Sequence, residues 1–164
     1  MAKIILQTKV QAPVFRVFDL ARSIDLHKAS ASKTNEEAIA GKTSGLIELN
    51  ETVTWRARHF GVYQKLKVKI IEFDRPNMFK DIMLKGTFKS MSHTHTFEEK
   101  DDVTIMYDTF EFESPFGGLG KIANYLFLKK HMTNFLVTKN QVLKNVAESD
   151  NWDSFLGAAS QKKI

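Results

Sequence analysis

The chain contains no cysteine, which excludes disulfides and thiol chemistry and fits a reducing compartment. It also lacks any run near the roughly 18 apolar residues that a membrane-spanning helix needs. The first ten residues hold one short apolar stretch, Ile4–Leu6, and no signal-peptide cleavage pattern. A cytoplasmic location is therefore expected. No serine stands in an elbow motif, so no acyl-transfer nucleophile is evident. The glycine-rich run Gly117-Gly118-Leu119-Gly120-Lys121 fails as a phosphate loop, which needs glycine where Pro115 stands and serine or threonine where Ile122 stands. It reads as a strand-to-helix joint. No repeat, low-complexity segment or linker divides the chain. Residues 1–149 are expected to form one domain and residues 150–164 a polar C-terminal tail, in which Trp152, Phe155 and Leu156 suit one short docked turn.

Charge is lopsided but diffuse. Lysine and arginine total 24 against 19 acidic residues, and the isoelectric point is near 9.3. Lysine outnumbers arginine and is scattered along the whole chain, which argues for a solvated basic surface and against a nucleic-acid partner.

What the chain does have is a change of period. From about Thr52 to Glu113 residues alternate as strands do, and from about Leu119 to Ser149 they run at helical spacing. Before that block, Lys3–Val10 reads as a strand with Ile4, Leu6, Thr8 and Val10 on one face. Pro13 suits the first position of a short helix, and Ser23 or Asp25 can cap a second near Ile24–Ser30. Lys28–Asn35 reads as a surface loop, and a strand is expected near Glu36–Lys42. Thirteen phenylalanines suit a wide interior that is lined rather than filled.

Gly61-Val62 suits a two-residue type II′ hairpin turn. That register sets Trp55 opposite Val68, Ala57 opposite Leu66 and His59 opposite Gln64. The other face then opposes Arg56 to Lys67 and Arg58 to Lys65, with Lys69 opposite Thr54. Like charges so placed repel unless water or an anionic partner screens them. Further pairs are expected around Gly86 and around Asp101-Asp102.

The alternating block hides polar groups on its inward face: Trp55, His59, Asp81, His93, His95 and Asp108. A two-residue turn at Asp101-Asp102 sets His95 opposite Asp108 and Phe97 opposite Met106; a slipped turn brings His93 to Asp108 instead. The surroundings, Met91, Phe97, Met106, Phe110 and Phe112, make an unpaired carboxylate costly. The cluster reads as a buried polar network, as an anchor for the head of an apolar ligand, or as an acid/base or metal site. His-x-His with a carboxylate could hold zinc or iron, yet only His59 and Asp81 stand in reserve as further ligands. Neither a metal nor a cofactor is expected.

In the long helix, Leu119, Ile122, Ala123 and Leu126 form a stripe. Met132, Phe135, Leu136, Val142, Leu143 and Val146 continue an apolar side. Tyr125-Leu126-Phe127-Leu128 is apolar all round, which suits burial beneath loops or tail, a lid over a cavity mouth, or a patch for a membrane or second subunit.

The opening Ile4–Val10 strand with Ala12-Pro13-Val14-Phe15-Arg16-Val17-Phe18 carries a resemblance, as do Gly45-Leu46 through Val53-Thr54-Trp55. So do Phe79-x-Asp81-x-Met83-x-x-Gly86-x-Phe88, leading to His93-x-His95-x-Phe97, and Ser114-Pro115-x-Gly117. Over Lys3–Ser149 the chain resembles the START-like/Bet v 1-like (SRPBCC) superfamily, in its bacterial single-domain polyketide cyclase/dehydrase-like branch. The resemblance implies an α+β helix-grip fold: a curved antiparallel sheet of about seven strands around a long C-terminal helix, with two short helices after the first strand. It implies a cavity for an apolar or amphipathic molecule, and it transfers no catalytic residue.

The expected function is binding of a hydrophobic or amphipathic small molecule or lipid, by a monomer or homodimer with at most peripheral membrane contact. Trp55, Met83, Phe97, Met106, Phe110 and Phe112 are expected to line the cavity. His93, His95, Asp81 and Asp108 are the expected polar anchors, and His59 is a further expected ligand-binding residue. The alternatives are a cyclase or dehydratase moving protons through His93, His95 and Asp108, and an interaction module using the basic hairpin face and the apolar helix turn.

Overall fold

The computed structural model describes residues 1–114 and 121–156. Strand β1 (Ala2–Val10) leads into helices α1 (Val14–Ala21) and α2 (Ile24–Ser30), then β2 (Glu37–Gly41). Strands β3 (Thr52–His59), β4 (Val62–Asp74), β5 (Met78–Lys85), β6 (Ser90–Lys100) and β7 (Val103–Glu113) follow, and helix α3 (Lys121–Ala147) comes last. All seven strands form one antiparallel sheet in the order β1-β7-β6-β5-β4-β3-β2. The sheet curves around α3, the helix-grip arrangement expected from the sequence. The 27 residues of α3 span roughly 40 Å at 1.5 Å each.

Alternation decides which way each strand faces. In β7, Thr104, Met106, Asp108, Phe110 and Phe112 are buried while their neighbours are not. Helix α1 closes one end of the sheet through Phe18, which is fully buried and meets Phe73, Phe79 and Phe97 edge-on at 5.2–5.5 Å. Pro13 sits at the N-cap of α1 rather than at its first helical residue. Ser23 caps α2 by accepting from the Leu26 amide at 3.2 Å, and Asp25 instead accepts from the Gly45 amide at 2.8 Å. A 3-10 turn at Ser32–Thr34 lies within the segment read as a loop.

The β3–β4 hairpin corrects the expected register. Phe60 and Gly61, not Gly61-Val62, form the turn, with φ of 53° and 78°. Two positive φ angles make it type I′, whose twist matches that of the strands. Trp55 therefore pairs with Leu66, Ala57 with Gln64 and His59 with Val62. The slip is two residues, so every side chain keeps its face. Between β3 and β4 only Arg56 and Lys65 now oppose each other; Arg58 meets Tyr63, Lys67 meets Thr54 and Lys69 meets Thr52, while Lys67 meets Lys85 across β4 and β5. Arg56 is held by Glu37 of β2 at 2.6 Å and lies over the Tyr63 ring. The charge that sequence pairing left unmatched is met by the neighbouring strand.

The β6–β7 turn is the expected Asp101-Asp102, both at positive φ, and it sets His95 opposite Asp108 and Phe97 opposite Met106. The Pro115–Gly118 joint and Leu119 lie outside the described residues, as do the side chains of Ile122 and Ala123. After α3, a 3-10 turn at Trp152–Phe155 docks on the first helices. The Arg16 guanidinium lies 4.3 Å from the Trp152 ring centre, and Ser23 Oγ donates to the Phe155 carbonyl at 2.7 Å.

One buried ionic knot was not foreseen. Asp19, on α1, accepts from Arg22 Nε at 2.8 Å and takes a two-pronged contact from Arg75 at 2.6 and 3.0 Å. Arg22 reaches on to Glu48 at 2.6 Å, so α1 is tied to the β4–β5 turn and to the loop before β3.

Phe18→Ala should open a void among three rings and cost about 3–5 kcal/mol. Urea denaturation followed by circular dichroism measures this; a loss under 1 kcal/mol would mean that α1 is not anchored through this ring.

Candidate functional site

A cavity of about 150 Å³ lies between the sheet, α2 and α3. Its walls are mostly apolar: Leu66, Val68, Met106 and Phe110 from the sheet, Met132 and Leu136 from the helix. A second lobe of about 140 Å³ shares Trp55, Leu66, Phe88, Met132 and Phe135 with the first and runs toward the Phe60 turn. There Phe60 packs on Phe127 and His131, with ring centres 5.3 and 4.5 Å apart. Leu128 is buried, but Leu126 and Phe127 are 58% and 60% exposed. The apolar turn of α3 thus edges the outer lobe instead of lying beneath a loop, and the docked tail covers α1 instead.

Of the residues expected to line a cavity, Trp55, Asp81, His93, His95, Met106 and Phe110 border the inner lobe and His59 the outer one. Four do not border either lobe. Phe97 packs on Phe18, Phe112 packs under Phe88 and Phe110, and Met83 lies beside Gly86. Asp108 sits behind the histidines.

Asp108 is the hub of that wall. Its Oδ1 lies 3.0 Å from His93 Nε2 and 2.7 Å from His95 Nδ1. The His93 contact is a hydrogen bond. The His95 contact is close but out of line, and its Nδ1 is left buried without a hydrogen-bond partner. Asn140 Nδ2, from α3, donates to Asp108 Oδ2 at 2.6 Å and to Thr8 Oγ1 at 3.1 Å. Burial alone would raise the Asp108 carboxyl, but the His95 charge and the imidazole contacts outweigh it and hold the group ionised. Burial, with His95 beside it, pushes His93 down to about 4, so this ring is neutral near pH 7.

Asp81 belongs to the same cluster. It pairs directly with His93 across β5 and β6, a register that turns the reserve ligand of the sequence into a neighbour of both histidines. One donor atom from each of Asp81, His93 and His95 lies within 4.8 Å of the others. Burial pushes the Asp81 carboxyl up to about 6, against the opposing pull of His95 and Lys139.

A second polar cluster faces it, and sequence reasoning missed it. His27 stacks on Trp55 with ring centres 3.9 Å apart and places Nε2 3.0 Å from Glu36 Oε2. Lys139 Nζ lies against both His27 ring nitrogens, 2.8 Å from Nδ1, and 3.8 Å from Glu36. Burial would raise Glu36, but His27 and Lys139 prevail and hold it at about 2. Burial lowers both Lys139 and His27. At the outer lobe His59 Nδ1 lies 3.1 Å from His131 Nε2, and burial lowers both rings. A signal for Lys139 and Asn140 did exist. They stand three and four residues after Leu136 and four and three before Leu143, on the inward side of α3.

No family model and no curated protein matches the chain. Solved structures do. A protein of Thermus thermophilus is 17% identical, with 90% of this chain and 100% of that chain covered and a TM-score of 0.70. The Zhui aromatase/cyclase of a Streptomyces species is 13% identical over 90% and 93% of the two chains, with a TM-score of 0.69. Major latex-like protein 151 of Panax ginseng is 15% identical over 88% and 95%, with a TM-score of 0.62. At such identities the likeness is one of fold.

Asp108→Ala would leave His93 and Asn140 without their buried acceptor and should cost about 1–3 kcal/mol, read from the denaturant midpoint. An unchanged midpoint would remove Asp108 from its place as hub. Asp81 predicts the opposite sign. Its folded value of about 6 stands above the ordinary 3.8, so between these pH values the native state holds a proton that the unfolded chain has lost. Stability from this group is full below about pH 4 and falls as pH rises through 6. Asp81→Asn should therefore be about 1–3 kcal/mol more stable than the parent near pH 7.5, with the gain gone near pH 3.5. A gain that persists at low pH would show that ionisation is not its cause.

Proposed function

We propose, for a chain with the helix-grip fold of the START-like/Bet v 1-like superfamily, that the protein binds a small amphipathic molecule. Its apolar body lies along Leu66, Val68, Met106 and Met132, and its polar head meets the two ionisable clusters. The observation that carries this is the pairing of an apolar cavity with buried polar groups gathered at one side of it. A sheet that served only to wrap a core would fill that space, because interiors pack densely and unfilled volume costs stability. A volume of about 150 Å³ suits one ring-sized group, and the outer lobe extends the room for a chain or a second ring. The head groups that fit are hydroxyl, carbonyl or carboxylate: Lys139 donates, Glu36 accepts, and neutral His93, whose Nε2–H is given to Asp108, offers Nδ1 as an acceptor. No described helix is long and apolar enough to cross a membrane. Exposed Leu126 and Phe127 beside the outer lobe favour uptake from an apolar surface.

A second reading has its own support. Asp81 is raised and His93 is lowered within one cluster, and opposed shifts of this kind suit a proton donor and acceptor. A cyclase or dehydratase reaction would place its migrating proton between these groups. Turnover of a polyketide-like substrate that is lost in both Asp81→Asn and His93→Gln would support this reading over simple binding.

Native mass spectrometry of protein from its own host should show a co-purified small molecule. Met132→Trp fills the junction of the two lobes and should weaken retention of an apolar fluorescent probe by roughly tenfold or more, equivalent to about 1.4 kcal/mol, with the fold intact by circular dichroism. Probe uptake equal to the parent would mean that the cavity is not the binding site.

A further inference from the structure

We propose that Asp81, His93 and His95 form a site for one divalent transition-metal ion on the cavity wall. Asp81 of β5 pairs with His93 of β6, His95 lies two residues along the same strand, and all three border the inner lobe. Their donor atoms, two imidazole nitrogens and one carboxylate oxygen, lie within 4.8 Å of one another. This donor set suits zinc or ferrous iron, and it leaves positions open toward the cavity for an oxygen of a bound molecule.

Two further observations set the cluster apart from a chance grouping. The first is the residue behind it. Asp108 stands within 3.0 Å of a ring nitrogen of each histidine and is itself held by Asn140. Ligating imidazoles commonly give their other N–H to such a carboxylate, which fixes the ring and strengthens the free nitrogen as a donor. The second is that the cluster is unfinished as a purely organic network. Glu36 and Asp108 both have nitrogen partners. The Asp81 carboxylate has no side-chain partner among the described residues, only its own backbone amide. Lys139 is the nearby cation that could neutralise Asp81, but its ammonium is engaged by His27 and Glu36. A dication would supply the missing charge at the point where folding has left a carboxylate unmatched.

The site goes beyond the ligand-binding reading and does not rest on it, because probe uptake can be measured in the presence of chelator. Full-length protein stripped with EDTA would be titrated with Co²⁺ and followed by visible absorption. The expected result is saturation at one equivalent, with reversal by Zn²⁺. Asp81→Asn and His95→Gln should each weaken Co²⁺ binding by roughly tenfold or more, and Asp108→Asn, acting through the histidines, by roughly 10–100-fold. Thermal melts of the stripped variants check that each is folded, and the two ligand variants keep the test readable if one fails. The rival location is the His59–His131 pair, whose nitrogens are 3.1 Å apart. An absence of saturable absorption, absorption that survives Asp81→Asn and His95→Gln, or loss of absorption in His131→Ala alone would each overturn the proposal.

Discussion

A single buried carboxylate constrains much of this molecule. Asp108 is 1% exposed, and an ion in that position is tolerable only where its lone pairs are met. They are met from two elements: β6 through the His93 hydrogen bond, with His95 in close contact beside it, and α3 through Asn140, which also binds Thr8 of β1. The same contacts that satisfy the charge fix how α3 lies across the sheet. They also turn the two imidazoles toward the cavity. Stability and site geometry therefore share one set of hydrogen bonds.

Space for the cavity comes from a division of labour among the aromatic residues. Phe18, Phe73, Phe79 and Phe97 pack against one another at one end of the sheet, and Phe88, Phe110 and Phe112 pack at the other. Between them the inward positions carry Trp55, Asp81, His93, His95 and, from α3, Lys139 and Asn140. Polar side chains cannot close that gap without leaving groups unsatisfied, so the interior stays open there. The opposite shifts of Asp81 and Glu36 follow from the same arrangement. Both are buried carboxylates, but Glu36 has His27 and Lys139 against it, and Asp81 has no partner of comparable closeness. Burial is common to both, and the partner decides the sign. A carboxylate kept where folding disfavours its charge marks a functional candidate more than a structural one.

Local pattern determined the strands, the two short helices, the long helix and the faces of the sheet. These follow from periods of two and 3.6, and such periods survive small errors in turn placement. The β3–β4 turn shows this: it forms one position earlier than its glycine suggested, yet Trp55, Ala57 and His59 keep their inward face because the register moved by two. The pairing of His95 with Asp108 was legible for the same reason, since the turn at Asp101-Asp102 set it.

Tertiary structure alone decided which inward residues meet the cavity and which meet each other. Phe97 and Phe112 have the right parity, but neighbours from α1 and the β5–β6 turn use them up. Asp81 joined the histidines through pairing between β5 and β6, a long-range register that no adjacent two-residue turn announced. Glu36, His27 and Lys139 lie more than a hundred residues apart at the extremes, and only the wrapping of the sheet around α3 brings them together. Alternation specifies a side of the sheet. Closure of the fold specifies the partner, because burial and charge compensation depend on atoms that the neighbouring sequence does not contain.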